Sequence, residues 1–429
     1  MSLRSVFGTH SASADDQIMS VLRAIRRHLA MDVGFVSEFV AGNRVFRFVD
    51  AGENASTTPI PVAVGRHDPL ERSFCSFVAQ GLMPEMMHDA SEHPVAARMP
   101  LTPDLPIGAH LSVPLRHGDG EAYGSVCCFS FTPDRSLTTR DLGILRLCAD
   151  VVDSILWKDH DAACEREATH RRIAETIAAE AVEMVFQPIY RTADAGLAAF
   201  EALARFAPIP GKGPDAWFAE AAEAGLGIEL EFLALRKALR ALPALPAEVT
   251  LSVNLSPAAL ASPRLAEALA GAPFDRVVIE LTEHAAVASY EALRDALGPF
   301  RSRGLGLGLA IDDVGAGHAT LRHVLDLAPD FIKLDMSLIR HIDAHSGRRA
   351  LTEALTGYGR RIGCEIVAEG VETEAEYAAL QGIGVTRVQG FLTGRPLPLA
   401  AAAILPLSAC RSPAPSRRSG DPLPADRPP

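Results

Sequence analysis

Several short apolar runs in the second half of the chain end in a side chain that offers an oxygen ligand. They are residues 251–254, 277–280, 307–312, 331–335 and 366–369. One acidic or amide residue after a strand is common, because such residues favour turns. A whole set requires another explanation. With an earlier glutamate, the candidate ligands of one shared site are Glu201, Asn254, Glu280, Asp312, Asp313 and Glu369.

Carboxylates brought together at one site cannot all ionise without cations between them. Hard oxygen ligands suit Mg²⁺ or Mn²⁺ rather than zinc. Two such ions polarise a phosphodiester and generate hydroxide from bound water, so the residues indicate hydrolysis of a phosphodiester. Lys333 is a candidate for orienting that water or neutralising phosphate charge. Its neighbours Ile332 and Leu334 point the other way along the strand, so a solvent-facing lysine is the alternative.

The elements that must position these residues follow from the pattern over residues 183–402. Short apolar runs alternate there with longer segments of helical period, which indicates repeated β-α units and a largely parallel sheet. We predict an α/β fold with a TIM-like (β/α)8 barrel, whose strand ends converge on one rim. An open doubly wound sheet is the rival, but it has fewer β-α repeats.

A second unit of α+β type is predicted over residues 15–157. It opens with a helical pattern, and the runs 110–116 and 124–131 flank a turn segment at 117–120, which predicts a hairpin. Thr138 and Asp141 mark the start of a closing helix. Residues 158–182 read as a helical linker, either a solvated helix or a dimer-forming one. The tail 408–429 has almost no large apolar residue and is expected to be disordered.

Composition restricts the function classes. The formal charge of −12 argues against a protein that binds nucleic acid polymers. No run of apolar residues is long enough for a membrane span, and the N-terminus lacks the apolar core of a secretory signal. Cytoplasmic residence is therefore expected. The 7 cysteines are scattered and predicted to be reduced. Cys127 and Cys128 are adjacent on a strand and should face opposite sides.

A set of motifs in order makes the resemblance specific. F-Q-P-I-Y (186–190), E-A-L-A-R (201–205), V-N-L-S (253–256) and E-L-T-E (280–283) are followed by D-D-V-G-A-G (312–317), I-K-L-D (332–335), A-E-G-V-E (368–372) and Q-G-F-L-T-G-R-P (389–396). These strings resemble the successive signatures of the bacterial EAL family of cyclic-di-GMP phosphodiesterases. The resemblance implies a two-metal enzyme that opens cyclic-di-GMP to linear pGpG.

The resemblance also implies residue roles. Residues that bind a metal directly in the family are matched by Glu201, Asn254, Glu280 and Asp312. Asp313 matches a ligand of the second ion. Glu369 matches a general base or water-orienting carboxylate that works with Lys333. Glu372 and Gln389 match supporting positions near the metals and the hydrolytic water. Glu283 matches a carboxylate that holds the loop after Asp313 in place. The family positions that hold the dinucleotide are matched by Gln187, Leu203 and Arg205. The guanidinium of Arg205 is suited to donate two hydrogen bonds to a phosphate.

Some positions depart from the family pattern. Val314 stands where the family usually has an aromatic residue, and His318 stands where a tyrosine is usual. This loop positions the aspartate pair in the family. The two departures would therefore affect the catalytic rate or the coupling of the site to a dimer interface. No G-G-D-E-F-like string occurs, so no cyclase domain is expected.

The first unit resembles a GAF domain through S-F-C-S-F-V (73–78), L-S-V-P-L-R (111–116) and G-S-V-C-C-F-S (124–130). The resemblance implies a sensory unit that takes an unidentified small effector and regulates the second unit, most simply in a homodimer. Cys75 is expected to be a buried structural thiol rather than an anchor for a linear tetrapyrrole. Two rivals to the regulated hydrolase are a catalytically silent cyclic-di-GMP receptor and a chromophore-based light sensor.

Overall fold

A computed structural model of the chain describes residues 12–53, 62–99, 107–282, 287, 289–301, 306–315 and 320–408. Two of the singled-out residues, Glu283 and His318, lie outside these ranges, as does the predicted tail from residue 409 onward. The chain divides into two compact units, Met1–Ala168 and Thr169–Pro429, each with its own apolar core. Within the described ranges, no helix combines the length and apolar character needed to cross a bilayer.

The first unit is built on an antiparallel sheet in the order β3-β2-β1-β6-β5-β4. Its strands are β1 (Val33–Val40), β2 (Asn43–Ala51), β3 (His67–Pro69), β4 (Met86–Met87), β5 (His110–Arg116) and β6 (Ala122–Phe129). Its helices are α1 (Ala12–His28), α2 (Phe74–Ala79) and the first part of α3 (Thr139–Ala178). The predicted hairpin is confirmed, because β5 pairs antiparallel with β6 around residues 117–121.

Strand β6 shows how the sheet separates two cores. Val126 and Cys128 pack on the face that α1 and α3 cover, whereas Cys127 and Phe129 pack with Phe35 on the other face. The side chains alternate because successive residues of a strand point to opposite sides. The two adjacent cysteines therefore face opposite cores, as the sequence predicts.

Helix α3 begins where the sequence predicts and ends earlier. The backbone N–H and the hydroxyl of Thr138 both donate to the Asp141 carboxylate, at 2.7 Å each. The helix ends at Ala178, short of the predicted linker end at residue 182. Glu180 takes a positive φ of 47°, and the chain turns so that Val182 is buried in an apolar cluster with Trp217. Burial of Val182 therefore ends the helix, although no glycine or proline interrupts it.

The second unit is a closed barrel. Its strands are β7 (Glu183–Arg191), β8 (Leu197–Arg205), β9 (Thr250–Leu255), β10 (Val277–Leu281), β11 (Gly308–Val314), β12 (Phe331–Leu334), β13 (Glu365–Ala368), β14 (Arg387–Val388) and β15 (Leu397–Pro398). Strands β8 to β14 run parallel in sequence order. Strand β7 closes the barrel by pairing antiparallel with both β8 and β14. Strand β15 pairs antiparallel with β7 at Val185 and Phe186. The predicted barrel is confirmed, and the open sheet is wrong.

Helices surround the barrel and cover the outer face of its strands. They are α4 (Pro214–Glu223), α5 (Gly227–Ala241), α6 (Pro257–Leu260), α7 (Leu265–Ala268), α8 (Tyr290–Arg301), α9 (Thr320–Leu327), α10 (Met336–Ile339), α11 (Ser346–Ile362), α12 (Glu374–Ile383) and α13 (Leu399–Ala402). Inside the barrel, Ile189, Ala199, Phe331 and Val367 form a small apolar layer. The polar residues of the strands begin above this layer.

Helix α12 illustrates how local sequence fixes an element. Thr373 accepts a hydrogen bond from the Glu376 backbone N–H, and the Glu376 carboxylate accepts one from the Thr373 backbone N–H in return. This capping box satisfies donors that the first turn leaves free. The helix ends at Ile383 and is capped by Gly384, whose φ of 89° suits a residue without a Cβ. Glu376 also accepts from the backbone N–H groups of His341 and Glu372, which ties α12 to the preceding loops.

Candidate metal centre and active site

Lys333 lies at the centre of the candidate site. Its side chain projects from β12 into the barrel and is only 2% exposed. The ammonium nitrogen lies 2.6 Å from Glu369 Oε1, 2.7 Å from Glu280 Oε2, 3.1 Å from Asp312 Oδ1 and 3.5 Å from Glu201 Oε2. Residues far apart in the sequence therefore converge because their strands end at one rim. The alternative of a solvent-facing lysine is wrong.

Glu201 on β8 joins the carboxylates to a set of amide side chains. Its Oε1 accepts from Asn254 Nδ2 at 2.9 Å, and its Oε2 accepts from Gln389 Nε2 at 2.6 Å. Gln389 also donates to Gln187 Oε1 at 3.2 Å, and Gln187 donates to the carbonyl oxygen of Gly394 at 3.2 Å. The amides thus fix the orientation of Glu201 at the rim.

The charges of the cluster are strongly coupled. Burial alone would lower the pKa of Lys333, but the surrounding carboxylates raise it well above its ordinary value. Burial opposes ionisation of Glu201, yet Lys333 and the amide donors hold its pKa below the usual range. Burial raises the pKa of Glu280 well above normal and that of Glu369 to about 8, although Lys333 opposes both shifts. One ammonium is therefore insufficient for all the carboxylates, and protons or further cations must supply the rest.

The donor set fits divalent cations. One oxygen from each of Asp312, Asp313 and Glu369 lies within 4.8 Å of the others. Among the described residues, the Asn254 Oδ1 and Gln389 Oε1 atoms are buried without a hydrogen-bond partner. A buried acceptor that lacks a partner is costly, and a cation would satisfy it. Carboxylate and carbonyl oxygens are the ligands that Mg²⁺ and Mn²⁺ prefer.

The aspartate pair lies where β11 bends. Asp313 has a φ of 55°, and its backbone N–H donates to Asp312 Oδ1 at 3.0 Å. Val314 is 1% exposed and packs in the barrel core. At Gly315, φ is 118°, and an added Cβ would lie 2.4 Å from Leu338 Cδ1. The local backbone is therefore fixed by core packing, with an aliphatic side chain where the family usually has an aromatic one.

The residues matched to substrate binding lie on β8, which carries Glu201, and on its antiparallel neighbour β7. Leu203 and Arg205 follow Glu201 at alternate positions of β8, so they share its face and lie nearer the strand end. Both are half-buried, and Arg205 Nη1 donates to its neighbour's carbonyl oxygen at 2.8 Å. Gln187 is paired with Glu201 across the β7–β8 ladder. Gln187 is therefore next to Glu201, whereas Leu203 and Arg205 extend from it along the same face of β8.

Glu372 has a different set of contacts. Its carboxylate accepts from Arg340 through two bonds of 2.7 and 2.6 Å, and the described contacts do not join it to Lys333 or Glu201. Arg340 escaped the sequence analysis because no motif contains it and 32 residues separate the pair. Such a bidentate pair holds the loop after β13 against the loop after α10. Glu372 thus supports the site through the backbone.

Comparison with known proteins decides the family. Residues 170–396, more than half of the chain, match the model described as the EAL domain. The chain belongs to the EAL domain family. Residues 13–155 match the model described as the GAF domain, so the barrel is an EAL domain preceded by a GAF domain.

Curated relatives match about half of the chain or somewhat more. An uncharacterized signaling protein of Caulobacter vibrioides is 34% identical over 247 residues, which are 56% of this chain and 30% of that protein. The cyclic di-GMP phosphodiesterase NbdA of Pseudomonas aeruginosa is 32% identical over 232 residues, 51% of this chain and 29% of that protein. The chain spans about a third of the length of such relatives.

A solved structure supports the fold. The EAL enzyme Bd1971, in a form with cAMP and cyclic-di-GMP bound, aligns with a TM-score of 0.52 and 19% identity. The alignment covers 66% of this chain and 81% of that chain. At this identity the likeness concerns the fold.

Proposed function

We propose that the EAL domain of this chain is a metal-dependent phosphodiesterase that hydrolyses cyclic-di-GMP to linear pGpG. The observation that carries the proposal is the convergence of Glu201, Glu280, Asp312 and Glu369 around Lys333 at one barrel rim. The name of the Pseudomonas aeruginosa relative, a cyclic di-GMP phosphodiesterase, supports the choice of substrate.

Glu201, Asn254, Glu280 and Asp312 hold the first of two divalent cations in this proposal, and Asp313 holds the second. Mg²⁺ or Mn²⁺ fits the oxygen donors. When bound, such ions polarise the phosphodiester and lower the pKa of water at the site. The buried acceptor oxygen of Asn254 that has no partner among the described residues supports its place in the ligand set.

The chain's own residues orient the reaction. Glu369 Oε1, held 2.6 Å from Lys333 Nζ, accepts a proton from the attacking water. The water oxygen adds to phosphorus, the bond from phosphorus to the 3′ oxygen breaks, and that oxygen takes up a proton. Lys333 offsets negative charge on the phosphate. Arg205 and Gln187 hold the dinucleotide, and Leu203 provides an apolar contact.

Turnover of cyclic-di-GMP by the full purified chain with Mg²⁺ or Mn²⁺ tests the proposal. Glu201→Gln should lower turnover by at least about 100-fold, because even a residue that only supports a metal ligand is worth 10 to 100-fold. Glu365→Gln is the matched control, since this glutamate begins β13 at the other end of the barrel and pairs with Arg387. Binding without any turnover by the unmodified chain would instead identify a silent receptor.

We also propose that the GAF domain binds a small effector and regulates the EAL domain. The protein is a homodimer in the cytoplasm in this proposal. The predicted boundaries at residues 157, 182 and 402 stay predictions. An absorbance spectrum of the purified chain tests the light-sensor alternative, because a bound linear tetrapyrrole absorbs visible light. Effector binding is measured as a change in cyclic-di-GMP turnover when candidate small molecules are added to the full chain.

A further inference from the structure

Two cysteines and a histidine meet inside the GAF domain. Cys75 is the second residue of α2, Cys127 lies on β6 and His110 begins β5. All three are buried, with 0 to 2% exposure. Cys75 Sγ lies 2.9 Å from Cys127 Sγ, and one donor atom from each of the three residues lies within 4.8 Å of the others. Three elements therefore bring two sulfur atoms and an imidazole nitrogen together.

His110 has an open acceptor or donor position in this cluster. Its Nδ1 atom is buried and has no hydrogen-bond partner among the described residues. The ring packs edge-on against Phe74, with centroids 5.4 Å apart, so the side chain is fixed in place. A buried imidazole nitrogen without a partner is costly unless something binds it. Nothing in the phosphodiesterase chemistry uses this residue.

The two sulfur atoms differ in their surroundings. Burial opposes ionisation of Cys75, yet Cys127 and Arg44 hold its pKa well below the ordinary value, whereas burial and Cys75 raise the pKa of Cys127 well above it. Arg44 Nη1 lies 3.5 Å from Cys75 Sγ, and Ser112 and Ser125 hydroxyls lie 3.1 and 3.2 Å from Cys127 Sγ. Hydroxyl and guanidinium groups around thiolates are the kind of supporting contacts that stabilise metal ligands. Buried thiolates require positive charge close by, because an apolar core alone would reject them.

We propose that Cys75, Cys127 and His110 bind one zinc ion in the core of the GAF domain. A divalent ion balances the two thiolates, and zinc accepts sulfur and imidazole nitrogen in one tetrahedral site. His110 also lines a small cavity, together with Arg44 and several apolar side chains. Three protein ligands with one free position are the arrangement of zinc sites that take a further ligand.

The sulfur separation of 2.9 Å lies between the values that zinc and the main alternative, a disulfide, require. Zinc–sulfur bonds of about 2.3 Å place the two sulfurs roughly 3.8 Å apart. The side chains must therefore rotate so that the distance between the sulfurs increases by about 1 Å. A disulfide requires them to approach to about 2.05 Å. A disulfide would use only the two sulfurs, whereas zinc would use a donor atom from all three residues of the cluster. The donor set therefore favours the metal.

Cobalt substitution of the full chain tests the proposal with a readout independent of the EAL centre. Thiolate-to-cobalt charge transfer gives near-ultraviolet absorption that oxygen ligands do not give. Titration of the metal-free chain with Co²⁺, in a phosphine reductant, should produce this absorption and reach an amplitude that corresponds to one thiolate-ligated ion per chain, whatever the EAL centre also binds. Zn²⁺ should then displace it. His110→Gln should weaken Co²⁺ binding by more than about tenfold.

Cys75→Ala and Cys127→Ala should each remove most of the charge-transfer absorption. Cys128→Ala is the matched control, because Cys128 is equally buried and adjacent in sequence but faces the opposite core. Circular dichroism checks that each variant is folded. If a variant unfolds, the titration of the unmodified chain still decides. Absence of charge-transfer absorption in that titration, or a Cys75–Cys127 disulfide in anaerobically prepared protein, overturns the proposal.

Discussion

Replacing Lys333 by methionine should destabilise the EAL barrel strongly in metal-free buffer. The substitution preserves side-chain length but removes the one ammonium that lies within 3.5 Å of four buried or half-buried carboxylates. Removing one partner of a buried ion pair costs about 3–5 kcal/mol, because the other charge remains buried without compensation. Protonation of Glu369 and Glu280 limits the loss, since burial already raises the pKa of both. We therefore expect about 3–5 kcal/mol rather than a multiple of it.

The pH dependence of this loss has a definite sign. Burial raises the pKa values of Glu280 and Glu369 above their ordinary range and Lys333 opposes both shifts, so its removal raises these two pKa values further. A protonated carboxyl is then favoured by folding, and stability falls as rising pH removes its proton. The destabilisation by Lys333→Met should therefore increase from pH 6 to pH 9. Excess Mn²⁺ should reduce it, because a bound cation replaces the missing charge and stabilises the folded state.

The chain offers a specific fluorescence assay. It contains 2 tryptophans, of which Trp157 lies in the first unit and Trp217 is buried in the second. In a Trp157→Phe background, urea unfolding followed by tryptophan emission reports the barrel unit. A loss of 3–5 kcal/mol shifts the midpoint by about 1 M urea or more. Lys237→Met on α5, where the lysine is only half-buried, is the control. Equal midpoints for Lys333→Met and wild type would refute the account of the cluster.

Three further changes test other parts of the EAL domain. Glu376→Gln should cost about 2 kcal/mol of barrel stability, because an amide accepts fewer backbone hydrogen bonds than the carboxylate. Burial opposes ionisation of Glu376, but those backbone bonds hold its pKa below normal. The stability that Glu376 contributes should therefore be lost as falling pH protonates it, which urea midpoints measure. Gly390→Ala should lower both thermal midpoint and turnover, since its Cβ would lie 2.1 Å from the Val371 carbonyl oxygen. Gly315→Ala should cost about 1–3 kcal/mol through its positive φ and its clash with Leu338, and unchanged midpoints would contradict the described loop geometry.

The sequence predicted the barrel because parallel strands buried on both faces leave a clear apolar pattern. It predicted the grouping of Glu201, Asn254, Glu280, Asp312 and Glu369 because parallel strands end on the same rim. Strand alternation alone could not place Lys333, since the side opposite the apolar residues of a strand can face either solvent or the barrel interior. Only closure of the sheet decided between them.

Other features depend on contacts that no local pattern records. An alternating strand pattern has no direction, so the antiparallel course of β7 could not be predicted. The pairing of Glu372 with Arg340 depends on two loops that meet after separate strands. The end of α3 at Ala178 follows from the burial of Val182, which propensity alone does not show. The ligand roles of the acidic residues stay proposals.

The barrel closes through a short strand pairing that lies next to the candidate site. Strand β14 contributes only Arg387 and Val388 to the seam, where they pair with Arg191 and Tyr190 of β7. Few ladder bonds hold this junction, so amide hydrogens there should exchange with solvent sooner than those of the central strands. Gln389 comes next in the chain and donates to Glu201. Opening of this pairing would act first on the Gln389 amide and on Glu201, and Lys333 would pass the change in charge to the other carboxylates of the cluster.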